Sequence, residues 1–85
     1  MRNAAYNSRK RATLEALERA FPYGLRADAL AWQTRFFPKR SIYCHLNRLW
    51  RFGLLQRRRD AQGFLVYRIT ARGRSRLGWL GRQTD

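Results

Sequence analysis

Eighty-five residues suffice for one domain, and a chain this short buries only a little over ~60% of its unfolded surface, so a single small core is expected. A hydrophobic content of 45%, with 14% aromatic residues, excludes wholesale disorder. Nineteen Lys and Arg against five Asp and Glu give a formal charge of +14, a self-repulsion that a polyanionic partner would relieve. One cysteine excludes an internal disulfide, and no Cys/His cluster has metal-ligand spacing, so no metal or other cofactor is expected.

Residues 1–7 carry no periodicity and are expected to form a flexible N-terminus, with the domain over 8–81 and a flexible C-terminus over 82–85. Ser8 suits the N-cap of a first helix running from Arg9 to Phe21, with Leu14, Leu17 and Phe21 as its core stripe. Arg11, Glu15 and Arg19, at four-residue spacing, belong to its solvated side. Pro22, Tyr23 and Gly24 end that helix. A short second helix is predicted from about Ala27 to Thr34, with Leu30 and Ala31 inward, Asp28 complementing the helix start, and no good N-cap before it.

The strongest signal is FPKRSIYCHLNRLWRFG, residues 37–53, which predicts an amphipathic helix over 38–52. Ile42, Leu46, Leu49 and Gly53 recur on one helical face. Opposite them, at about 100° per residue, stand Arg40, Cys44, Asn47, Arg48 and Arg51, with Ser41 at the margin and no acid among them. Pro38 suits a first helical position and Gly53 the left-handed residue that ends a helix.

Beyond Gly53 the period changes from about 3.6 to 2, predicting antiparallel strands in LLQRRR and FLVYRI joined by the loop from Arg59 to Gly63. Thr70 can cap a last helix, TARGRSRLGWL, which Gly73, Gly78 and Gly81 weaken. Trp32, Trp50 and Trp79 are expected in the core or at its edge, and His45, three residues from Ile42, as a satisfied, partly buried histidine. Leu77, Trp79 and Leu80 offer a ridge through which terminal helices could form a homodimer.

Helix, helix, helix, two-stranded hairpin, helix is the order of a winged helix-turn-helix, an α+β fold that is mainly α. The run SIYCHLNRLWRFGLLQRRRDAQGFLVYRITARGRSRL resembles the small bacterial and archaeal transcription regulators of the PadR, MarR and ArsR type. The resemblance rests on Ser41, Ile42, Tyr43, Leu46, Leu49, Gly53, Leu54, Arg57, Arg58, Gly63, Tyr67, Ile69, Thr70 and Gly73. It implies a double-stranded DNA-binding regulator that lays helix 38–52 in the major groove and the 59–63 wing on an adjacent groove. ArsR-type metal sensors carry paired cysteines in that helix. Cys44 stands alone, so metal sensing does not carry over.

Arg40, Ser41, Cys44 and Asn47 are then the candidate base readers, since Arg to guanine and Asn to adenine are the geometrically favoured pairs. Lys39, Tyr43, Arg48, Arg51, Arg57, Arg58, Arg59 and Gln62 are the candidate backbone and wing contacts, with Arg59 as the minor-groove finger. Residues 29–84 hold thirteen basic residues and one acid, Asp60, whose carboxylate argues against deep insertion of the wing tip. An RNA-binding or ribosome-associated winged helix and a protein-interaction winged helix are the alternatives. No enzyme is expected, because the acids are scattered and nothing assembles a nucleophile with its base. No effector is identifiable. Without a secretory signal or a run of ~20 apolar residues, the expected location is the cytoplasm, at the nucleoid.

Overall fold

The computed structural model describes residues 4–35 and 40–83, and the side chains of 8–35 and 41–82. In chain order the elements are α1 (Ala4–Ala20), β1 (Leu25–Arg26), α2 (Ala27–Thr34), α3 (Arg40–Arg51), β2 (Leu55–Arg59), β3 (Leu65–Ile69) and α4 (Ala71–Gln83). The fold is mainly helical, with one antiparallel sheet in the order β1-β3-β2.

Leu14 and Leu17 of α1, Leu30 of α2, and Ile42, Leu46 and Leu49 of α3 are sealed from solvent in one cluster that Tyr67 and Ile69 of β3 and Leu80 of α4 complete. Burying each such aliphatic side chain is worth roughly 1.5–3 kcal/mol. The helical spacing read from the sequence therefore places the core stripes of α1, α2 and α3 correctly, with one exception. Phe21 falls in the turn after α1 and is 41% exposed, with the Arg74 guanidinium 3.8 Å above its ring.

Several expectations are corrected. The helix α1 starts at Ala4, so Ser8 lies inside it rather than capping it, and α4 runs on to Gln83. The sheet has three strands instead of two. Its extra strand, β1, is two residues long and pairs Leu25 with Tyr67 and Arg26 with Val66. Gly24 makes that pairing possible: its φ is +85°, and a Cβ there would meet the Tyr67 carbonyl oxygen at 2.5 Å. Trp32, Trp50 and Trp79 are all exposed rather than core residues. Leu77 and Leu80 pack on the protein's own core, so Leu77, Trp79 and Leu80 form no common outward ridge for a second copy.

The third helix ends at Arg51, with Phe52 in the turn beyond it, and Pro38 lies outside the described residues. Gly53 takes the expected left-handed conformation at φ +76°, while the Leu54 amide donates back to the Leu49 carbonyl at 3.0 Å. Thr70 caps α4: its Oγ1 accepts the Gly73 amide at 3.0 Å and donates to the Gly53 carbonyl at 2.7 Å. One threonine thus ties the start of α4 to the end of α3.

Gly73 does more than weaken a helix. A Cβ there would stand close against the Leu54 carbonyl and 2.7 Å from a carbon of Ile69, so α4 approaches the α3–β2 corner only because the side chain is missing. Gly78 has no such constraint, its nearest neighbour being the tip of Arg82 at 3.8 Å. Gly73→Ala should destabilise the fold by about 1–3 kcal/mol, whereas Gly78→Ala should stabilise it by about 0.5–1 kcal/mol. Urea midpoints of the two variants measure the contrast.

Candidate nucleic-acid interface

Its three sealed aliphatic residues set the rotation of α3 and so sort its other positions. Cys44, Arg48 and Arg51 are exposed and Asn47 half-buried on the sector away from the core, and the helix contains no acid. Arg40 opens the helix one turn before Cys44. Lys39 lies outside the described residues, as does the side chain of Arg40. Ser41 is half-buried and Tyr43 is 50% exposed, each at an edge of the sector.

One edge faces the ribbon. The Arg57 guanidinium lies 3.8 Å from the Trp50 ring centroid and sits close enough to the Tyr67 hydroxyl to act on its charge. Burial pushes the Tyr67 phenol up from its ordinary range, Arg57 opposes that shift, and nearby Tyr43 adds to it. Arg57 therefore holds β2 and β3 against α3, at about 0.5–1 kcal/mol for the ring contact, while its residue remains exposed.

The other edge faces α1. His45 is 7% exposed, and its Nε2 lies 3.1 Å from Thr13 Oγ1. The Thr13 hydroxyl gives its single proton to the Arg9 carbonyl at 2.9 Å, which leaves His45 Nε2 as the donor of the shared bond and assigns the tautomer. The expected satisfied histidine is found, and it is neutral: burial, then the charges of Arg48, Arg9 and Lys10, lower its pKa from an ordinary 6.5 to about 4. Those charges also show that the basic surface continues from α3 onto Arg9 and Lys10, which the sequence reading left out. The adjacent run Arg9-Lys10-Arg11 was the available signal, but only a contact across thirty-two positions joins it to α3.

The wing is more ordered by its own side chains than expected. Asp60 Oδ1 accepts the amides of Gln62 and Phe64 at 2.9 and 3.0 Å, while Oδ2 takes Arg26 Nε and Nη2 at 2.9 and 2.7 Å. Partial burial alone would raise the Asp60 carboxyl, but the Arg26 fork and the two amides hold it below the usual range. Its charge is matched within the protein, so it does not oppose a phosphate in the way the bare sequence suggests. Arg26 also reaches Gln62 Oε1 at 2.5 Å and lies 4.3 Å from the Phe64 ring. Nothing in the sequence around Arg26 marked it as the wing's anchor.

Strand register divides the ribbon's arginines. Arg57 and Arg59 sit opposite Tyr67 and Leu65, on the face turned to α3, whereas Arg58 sits opposite Val66 on the other face. Arg59 donates to the Gly63 carbonyl across the loop at 2.7 Å, which holds it beside the tip. The structure thus gathers Cys44, Asn47, Arg48, Arg51, Tyr43, Arg57 and Arg59 on one side and sets Arg58 apart.

Among the described residues, no group of three His, Cys, Asp or Glu could hold a metal ion, and no helix is long and apolar enough to cross a membrane. Three helices, a strand-paired wing and a closing helix make this a winged helix-turn-helix fold. Among solved structures it is similar to the transcriptional regulator BldR from Sulfolobus solfataricus, with a TM-score of 0.75 at 22% identity over 87% of this chain. The chain spans about half of that protein, 52%. No family model matches the sequence, and no curated protein matches it either.

The buried neutral imidazole has a stability consequence. Because the folded pKa lies below the unfolded one, the unfolded chain binds the extra proton, and stability is complete above pH 6.5 and is lost as pH falls toward 4. At about 1.4 kcal/mol per unit the loss approaches roughly 3 kcal/mol. His45 is the chain's one histidine, so the slope between pH 6.5 and 5 in thermal melts should vanish in His45→Gln.

Proposed function

We propose that this protein is a sequence-specific double-stranded DNA-binding transcription regulator and not an enzyme. The observation that carries the reading is the acid-free outer face of α3, held by its buried stripe beside a ribbon whose Arg57 and Arg59 turn to the same side. A transcriptional regulator as structural neighbour supports it at the level of fold.

In this reading α3 enters the major groove. Arg40 and Asn47 read guanine and adenine edges, with Ser41 and Cys44 beside them at the floor of the groove. Lys39, Tyr43, Arg48 and Arg51 contact the flanking phosphates, and Arg9 and Lys10 extend that row along α1. Arg57, already fixed by Trp50 and Tyr67, meets the backbone where ribbon and helix join. Arg59 and Gln62 reach the adjacent groove from the wing tip, and Arg58 takes the outer strand. Binding occludes a promoter, and the protein works at the nucleoid in the cytoplasm.

Selection from random duplexes, followed by anisotropy titrations, tests this. Asn47→Ala and Arg40→Ala should each cost about 1–3 kcal/mol at one base position, while Arg51→Ala should weaken all sequences alike. With six to ten phosphate contacts, affinity should fall roughly 10³- to 10⁵-fold between about 50 and 200 mM salt. Salt-independent association, or selection that enriches no sequence, would contradict the reading.

A further inference from the structure

We infer that α4 carries a second, separate site, an open cleft that takes one unpaired nucleotide of a single strand. The cleft, about 410 Å³, is lined by Leu54, Arg72, Ser75, Arg76, Trp79 and Arg82. It lies past the C-terminal end of α3, and none of Ser41, Cys44, Asn47 or Arg48 reaches it. Its volume is in the range of small-ligand sites.

Charge and shape define the occupant. The four described carboxylates are placed elsewhere: Glu15 pairs with Arg11, Glu18 with Arg74 and Asp60 with Arg26, and Asp28 accepts the Ala29 amide in α2. Among the described residues, none lines the cleft, so Arg72, Arg76 and Arg82 form a cationic row suited to an anion. A second copy of the chain would bring like charges together and is disfavoured. A ring accompanies the row: Trp79 is 42% exposed, with Leu54 lining the cleft and the Arg76 guanidinium over one face of the indole, 5.1 Å from its centroid. Guanidiniums for a phosphate next to an aromatic plane for a base are the two parts of a single-strand stacking site. A base paired within a duplex has no free face to offer Trp79.

The site is independent of the α3 interface, and the test separates the two. Labelled decathymidylate and the same strand annealed to its complement are titrated by anisotropy, with thymidine monophosphate as competitor. Trp79→Ala and Arg76→Ala should each weaken the single strand by about tenfold, within the range of lost base stacking, and leave the duplex unchanged. Trp79→Phe should retain binding. Arg51→Ala should show the converse, losing duplex and keeping strand. Competition by micromolar thymidine monophosphate would overturn the single-strand assignment in favour of a free nucleotide. Unchanged strand binding in both α4 variants, with their melting temperatures preserved, or an equal loss for strand and duplex, would overturn the proposal.

Discussion

Burial of Ile42, Leu46 and Leu49 decides which way every other residue of α3 points. Those three side chains lie against Leu14 and Leu17 of α1 and Leu30 of α2 in one sealed cluster. Rotating the helix to hide Asn47 or Arg51 would bring an aliphatic side chain into water, at roughly 1.5–3 kcal/mol apiece. The polar sector is therefore held outward by the core, and it needs no contact of its own to stay there. Arg57 on Trp50 and His45 on Thr13 then fix the two edges of the sector, one to the ribbon and one to α1.

Electrostatics follows the same division. Three of the four described carboxylates are held in ion pairs: Glu15 along α1, Glu18 between α1 and α4, and Asp60 in the wing tip. None stands on α3. In a chain of formal charge +14 the outer face of α3 thus keeps its basic residues free of any acid on the same helix, the charge pattern that a polyanion would complement.

Much of this was legible in the sequence, for reasons that can be traced to individual residues. The stripe in α3, the switch to alternation after Gly53 and the Thr70 cap are local patterns of period or spacing, and each appears where expected. Features that depend on distant neighbours were not legible. A two-residue strand has no period to detect, so β1 emerged only from its pairing with β3. Trp32, Trp50 and Trp79 are large enough to suggest a core, yet a domain this small fills its interior with aliphatics and leaves the indoles outside. Arg26 looks like any surface arginine until the fold brings Asp60, thirty-four positions away, to its guanidinium. At Gly73 the need for a missing side chain arises from the Leu54 carbonyl, which no helical pattern contains. The candidate interface was sequence-legible as the outer face of α3 together with the ribbon's arginines; its extension onto Arg9 and Lys10 of α1 was not.

The outward face of α3 contains the chain's only cysteine, Cys44, which is free and exposed. Its rate of reaction with a thiol reagent, measured with and without saturating duplex, reports whether duplex covers the outer face of α3. If duplex lies on that face, Cys44 is strongly protected in the complex and its reactivity returns at high salt. Reaction at the unprotected rate in a saturated complex would contradict that placement, because the nucleic acid would then be bound on some other surface.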